Sequence, residues 1–163
     1  MLNSVTLNSY VGQPIKEICP HGYDSSSDNH CAHFVSHVLQ LGMGYTCAHA
    51  RRRTGGANIR VQELFSQCMS TREVHECPTV GEGLIFVSGR SNFQGSPTHI
   101  ENVPKKHVGI LFAGQIWHYS NTKHKVVVQT VGEFLFHYPR QHNALWCGSL
   151  PIAGRPTNFG TCS

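Results

Sequence analysis

The sequence predicts an α+β fold in which N-terminal helices pack on a central antiparallel β-sheet. Three observations carry this expectation. Residues 28–41 place apolar side chains at Cys31, Phe34, Val35, Val38, Leu39 and Leu41, close to the i, i+3, i+4, i+7, i+8 rule for one buried helix face. From Gly83 onward the period changes to short apolar or β-branched runs, Gly83–Val87, His107–Phe112, Gln115–Tyr119 and Lys125–Thr130. Two of these runs are separated only by Ala113-Gly114, a link that turns the chain back as an antiparallel hairpin.

Taken in order, residues 1–27 read as an irregular arm with a short helix around Val11–Cys19, then the turn-rich Pro20-His21-Gly22-Tyr23 and a serine run. Candidate N-caps fill Ser25-Ser26-Ser27-Asp28-Asn29, so a helix should begin within a residue or two of Cys31 and stop at Gly42-Met43-Gly44. Residues 45–58 connect to a second helix across Asn58–Met69, where Ile59, Val61, Leu64, Phe65 and Cys68 are the apolar positions. After the strand Gly83–Val87, the Gly/Ser/Asn/Pro-rich residues Ser88–Lys106 read as a polar loop, a lid or substrate wall. Beyond the hairpin and the strand Lys125–Thr130, Phe134–Phe136 and Ala144–Trp146 are candidate edge strands. The tail from Pro151 reads as coil held down by Cys162.

A length of 163 residues bounds the chain to one domain, 1–163, with an arm (1–27), a core carrying the chemistry (28–130) and a C-terminal tail (151–163). At 39% hydrophobic and 13% charged residues, the composition is that of a globular chain and not of a disordered one. No apolar run approaches the ~20 residues that cross a bilayer, and the start lacks the basic end and apolar stretch of a secretory signal. Neither a membrane nor a nucleic acid is an expected partner. The one dense basic cluster, Arg51-Arg52-Arg53, lacks the interleaved aromatics of a nucleic-acid patch and reads as a solvated loop. Seven cysteines permit up to three disulfides, with Cys31 the residue to leave free, but the pairing among Cys19, Cys47, Cys68, Cys77, Cys147 and Cys162 is not deducible. No C-x-x-C spacing occurs.

Cys31 falls on the first turn of its helix, facing inward. Free N–H groups and the helix dipole lower a thiol pKa there, so a reactive thiolate is expected, with the Cys31 backbone N–H among the donors to an oxyanion. The hairpin supplies imidazoles. With Phe112 joined to Gln115 by two residues, paired positions sum to 227, which sets His118 opposite Gly109 and diagonal to His107 on one face. Thiol, base and orienting group are thus available as Cys31, His107 and His118. Tyr23, His30 and Ala32 flank the nucleophile and are candidate substrate contacts. His33 and His37 lie four apart, a spacing that can clamp a metal, but no third ligand is evident nearby; no metal and no cofactor are expected.

A cysteine-bearing helix followed by an antiparallel sheet with two histidines is the layout of papain-like cysteine hydrolases. The residues Asp28–Leu41, Gly83–Val87 and His107–Ser120 resemble, in order and spacing, the NlpC-type cell-wall peptidases. Those proteins carry a D-C-S-G-F/L-V helix start, a G-D-L-V-F-F strand, an H-V-G-I-Y-L-G strand and an I-H-A-S strand. The resemblance implies a papain-like NlpC-type fold with Cys31 as nucleophile, His107 as base and His118 as orienting residue. It departs at Ala32-His33, where the family has Ser-Gly, and at Gly83, which replaces the family's strand aspartate.

By the same resemblance the expected function is a peptidoglycan amidase or endopeptidase, cutting an amide of the wall stem peptide. Its setting would be that of a monomer secreted or delivered to the periplasm or cell wall, similar to type VI amidase effectors, with an immunity protein or a secretion carrier as protein partner. Lipid acyltransfer or thioester hydrolysis on the same fold, and a non-catalytic binding module, are the competing readings. Cys31-Ala32-His33-Phe34-Val35 has some likeness to the N-C-E-H-F-V motif of lecithin–retinol acyltransferase relatives, whose histidine precedes the cysteine.

Overall fold

The computed structural model describes residues 2–74, 81–139 and 141–149. Six short helices and eight strands follow one another: α1 (Ser4–Asn8), α2 (Ile15–Ile18), α3 (Cys31–Leu39), α4 (Cys47–Ala50), α5 (Val61–Ser66), β1 (Ser70–Glu73), β2 (Glu82–Gly89), β3 (Phe93–Gln94), β4 (His99–Ile100), β5 (Lys106–Phe112), β6 (Gln115–Ser120), β7 (Lys125–Thr130), α6 (Val131–Leu135) and β8 (Asn143–Ser149). The architecture is α+β. A six-stranded antiparallel sheet has the order β1-β8-β2-β5-β6-β7, and β3 and β4 form a separate ribbon. None of the described helices is long and apolar enough to cross a membrane.

Period-2 alternation splits the strands between two cores. Leu84, Phe86, Val108, Ile110, Trp117 and Tyr119 pack with Phe34 and Val35 of α3. The intervening residues Ile85, Val87, Leu111 and Ile116 pack with Val131 and Phe134 of α6. The sheet is therefore covered on both faces, which explains why β2 and β5 read as nearly unbroken apolar runs.

The β5–β6 hairpin forms in the expected register, Ile110↔Trp117, Leu111↔Ile116 and Phe112↔Gln115, each pair summing to 227. Ala113 and Gly114 both take positive φ, 48° and 76°, as a two-residue turn of the right twist demands. The regular ladder ends at Ile110↔Trp117, but the strands stay close beyond it, with His107 Nε2 2.8 Å from His118 Nδ1. Helix α3 begins beside this end of the hairpin, where His30 N bonds Asn121 Oδ1.

Several expectations are corrected. Helix α3 ends one turn before the glycines, with Gln40 in the left-handed conformation (φ 58°) bonding back to Ser36 and His37. The second helix is only Val61–Ser66, because β1, which the sequence reading omits, already begins at Ser70. Phe134 and Leu135 lie in α6, not in a strand: Thr130 and Glu133 form a capping box that starts a helix directly off β7. Ala144–Trp146 belongs to β8, which lies inside the sheet between β1 and β2. Residues 88–106 are not simply a polar loop: Phe93 stacks on Trp146 and Ile100 is buried. The exposed Arg51, Arg52 and Arg53 do sit in a solvated turn. No disulfide joins any two of Cys19, Cys31, Cys47, Cys68 and Cys147; Cys77, Cys162 and the tail from Pro151 lie outside the described residues.

Candidate active site

Cys31 is the first residue of α3, and two side-chain amides hold the helix start. Asn29 Oδ1 accepts from Cys31 N at 3.0 Å and from Asn121 Nδ2 at 2.9 Å, while Asn121 Oδ1 accepts from His30 N at 2.9 Å. Asn121 belongs to the β6–β7 turn, so this paired-amide bridge fixes the helix N-terminus against the open end of the hairpin. The expected use of Cys31 N as an oxyanion donor is thereby corrected: that N–H is already given to Asn29.

The thiol is fully buried, with 0% exposure. Burial pushes its pKa up to about 11, against the lowering expected from the helix start; backbone N–H groups of Val108 and Ala32 and the nearby Lys106 ammonium oppose the rise without cancelling it. The resting group is a thiol. The Val108 contact is the informative one, because that N–H belongs to the peptide joining His107 to Val108. Helix α3 thus brings Cys31 Sγ against the backbone of its expected base.

His107 and His118 converge as the hairpin register requires. His107 Nε2 and His118 Nδ1 are 2.8 Å apart, and His118 Nε2 lies 2.6 Å from Gln129 Oε1 on β7. A carbonyl oxygen only accepts, so His118 carries its proton on Nε2 and offers a lone pair at Nδ1. His107 must then donate from Nε2, which leaves its Nδ1 as a bare lone pair. That atom is buried and has no hydrogen-bond partner. Burial holds His107 well below the ordinary histidine range and His118 down to about 4, so both rings are neutral near pH 7.

Around the pair, Phe134 packs on both rings and His137 stacks on His107 with centroids 3.9 Å apart and planes 16° from parallel. Tyr138 meets His137 edge-on and lies within electrostatic reach of Cys31. The ring nitrogens of His107, His118 and His137 are close enough to suggest a metal cluster. The rings argue otherwise. A separation of 2.8 Å is a hydrogen bond, well short of the ~3.3 Å edge between two imidazole nitrogens on tetrahedral zinc, and near-parallel stacked rings cannot aim in-plane lone pairs at one ion.

The expected substrate contacts are placed differently. Ala32 is buried in the core and His30 is 1% exposed. His30 is turned inward onto Ser25 O and His33, with Tyr119 edge-on. Tyr23 is half-buried and packs its ring against His30 and His33, and burial followed by the charge of Asp28 raises its pKa to about 12. All three support the helix from its buried side. Gln129 and His137 were missed by sequence reasoning. The register of β6 with β7, Trp117↔Val128, would have placed Gln129 on the His118 face; nothing local marks His137, which arrives through α6.

A second group of donors, Cys19, His33, His37 and Cys47, also converges, with all four ligand atoms within 4.8 Å of one another. The absence of a third ligand beside His33 and His37 in sequence is thus made good by residues from either side of α3. Comparison with known proteins returns no matching family model, no matching curated protein and no matching solved structure.

Proposed function

We propose that the protein is a papain-like cysteine hydrolase that cleaves an amide bond, with Cys31 as nucleophile, His107 as general base and acid, and His118 as the residue that orients it. The observation that carries this reading is the approach of Cys31 Sγ to the Val108 N–H, on the peptide next to His107; the His107 ring itself packs on Phe134 and His137 with Nδ1 unpartnered, so the proposed transfer needs that ring to turn toward the thiol. The chain from Gln129 through His118 fixes the tautomer that leaves this lone pair free.

With thiol and imidazole both neutral at rest, catalysis begins with proton transfer and not with a standing ion pair. Cys31 S–H gives its proton to His107 Nδ1 as sulfur attacks the carbonyl carbon. The imidazolium so formed donates from Nε2 to His118 Nδ1, which stabilises its charge. The Nδ1 proton then passes to the leaving amine as the C–N bond breaks and a thioester forms. Water, deprotonated by the same Nδ1, attacks the thioester and regenerates the thiol with release of a carboxylic acid. Cys31 is fully buried, so a neighbouring element has to move for substrate to enter, and Tyr138, which interacts with the thiol, is the residue proposed to do so.

The substrate is read as a stem peptide of peptidoglycan, on the strength of the order and spacing of the motifs around Cys31, Gly83–Val87 and His107–Ser120. Delivery to a periplasm or cell wall, and an immunity protein or carrier as partner, follow from that substrate. The test is incubation of purified sacculi with wild type, Cys31→Ala and His107→Ala, followed by mass analysis of released peptides. New amine and carboxyl termini with wild type alone are expected. Equal release by Cys31→Ala overturns the nucleophile, and no release by any of them overturns the substrate.

A further inference from the structure

We propose that Cys19, His33, His37 and Cys47 form a closed, tetrahedral zinc site that ties the N-terminal arm and α4 to the helix carrying Cys31. This inference stands independently of the proposed reaction.

The four donors come from three segments. Cys19 follows α2, His33 and His37 lie one turn apart on α3, and Cys47 opens α4. Two cysteines and two histidines are the donor set of a structural zinc, with all four positions taken by protein. The spacings agree: His33 Nε2 to His37 Nε2 is 3.1 Å and His37 Nε2 to Cys47 Sγ is 3.8 Å. Zn–N bonds of ~2.0 Å and Zn–S bonds of ~2.3 Å at tetrahedral angles give edges of about 3.3 and 3.6 Å. Small adjustments therefore admit the ion.

Each sulfur accepts a backbone N–H. His21 N donates to Cys19 Sγ at 3.4 Å across the Cys19-Pro20-His21-Gly22 turn, and Ala57 N donates to Cys47 Sγ at 3.3 Å. These contacts fix where the two sulfurs sit, as hydrogen bonds to the ligands do at metal sites. The imidazole side is oriented by a second layer. Ser25 O accepts from His30 Nε2 at 2.8 Å, which makes His30 Nδ1 an acceptor. His33 Nδ1–H donates to it at 3.1 Å, and the His33 lone pair is thereby placed on Nε2, facing His37 and the sulfurs. Arg51 also grips the knuckle turn through Gly22 O.

Charge and packing point the same way. His33, Cys19 and Cys47 are buried, where two thiolates and two neutral imidazoles around a divalent ion sum to zero charge. Binding replaces two S–H protons by the ion and releases both to solvent. The competing use of Cys19 and Cys47 is a disulfide.

The experiment uses the full, tag-free chain expressed with zinc and purified under mild reducing conditions, with metal content measured by elemental mass spectrometry. About one zinc per chain is expected in wild type and in His118→Ala, falling at least tenfold in Cys19→Ser/Cys47→Ser. Because that variant can fail to fold, His37→Cys provides the rescue: a Cys3His set keeps the zinc. Cobalt exchanged into wild type should show the strong visible bands of a tetrahedral site with thiolate-to-cobalt charge transfer. Wild type without zinc, a Cys19–Cys47 disulfide in peptide maps, loss of zinc only in His118→Ala, or cobalt spectra lacking charge transfer each overturn the site.

Discussion

His107 and His118 meet with Nε2 and Nδ1 2.8 Å apart and ring planes at 84°, so that one ring's in-plane N–H points at the other's in-plane lone pair. This contact exists because the hairpin register places the two residues diagonally on one face while the ladder ends at Ile110↔Trp117. Its polarity is set one residue further on, at Gln129. Gln129→Leu removes the acceptor from the buried His118 Nε2–H. An unpaired buried donor costs about 1–3 kcal/mol, and if that loss falls on the transition state it lowers hydrolysis roughly 10- to 100-fold. Nitrogen NMR of His118 should show mixed tautomers in Gln129→Leu, against one in wild type. A single unchanged tautomer would remove Gln129 from the relay.

Stability should depend on acid through His118. Its folded pKa is depressed by burial to about 4, against about 6.5 for an unfolded histidine. Above pH 6.5 the ring is neutral in both states and the contribution is complete. Between about 6.5 and 4 the unfolded chain binds a proton that the native chain does not, so stability falls as pH falls. The loss amounts to about 3 kcal/mol at full extent, and His107, also depressed by burial, adds in the same direction. Urea melts from pH 7.5 to 4.0 should show this slope in wild type and a shallower one in His118→Asn. Parallel slopes would mean that His118 titrates normally.

Much of this arrangement is legible in the sequence, and the reasons differ by element. The Cys31 helix and the β5–β6–β7 meander follow from local periodicity and a two-residue turn, which need no knowledge of the rest of the chain. The His107–His118 contact follows from register arithmetic. The Phe134 helix was missed because its apolar cluster also suits a strand, and the Thr130–Glu133 capping box that decides the matter begins at the last residue of β7. The Cys31 pKa was misjudged because a helix start lowers it only where solvent or charge can stabilise a thiolate, and the sequence does not show burial. Cys19 and Cys47 escaped notice as partners of His33 and His37 because they come from segments on either side of α3, brought together only by the fold.

Gly109 is required for steric reasons. A Cβ there would lie 2.5 Å from Ile116 Cγ2, 3.1 Å from Trp117 O and 3.2 Å from His118 Cβ, and its φ is not in the left-handed region. Two of these neighbours are rigid. Gly109→Ala should therefore destabilise the chain by about 1–3 kcal/mol, the usual cost of overpacking, and push His118 away from His107. Ile116→Val, which removes only a distal methyl, should not restore it. A denaturation midpoint within error of wild type would show that β6 can shift freely.

Cys31 should be slow to alkylate, and Tyr138 should be one reason. With a pKa of about 11, the thiolate fraction near neutral pH is about two orders of magnitude below that of a free cysteine. Tyr138 belongs to the cover over the histidine pair, and its own pKa is raised by burial first and by the neighbouring Cys31 second. Tyr138→Ala lets water reach the thiol and lowers the desolvation that dominates its pKa. A fall of one unit gives about tenfold more thiolate, so iodoacetamide modification of Cys31, read by peptide mapping, should accelerate at least tenfold at pH 7.5. Modification of Cys68, half-buried with its S–H donated to Leu64 O on α5, serves as the internal reference for opening elsewhere in the fold. Equal acceleration at both cysteines would mean that Tyr138 stabilises the whole fold and not the cover. Acceleration at Cys31 alone identifies residues 137–138 as the element that must move before an amide can reach the thiol.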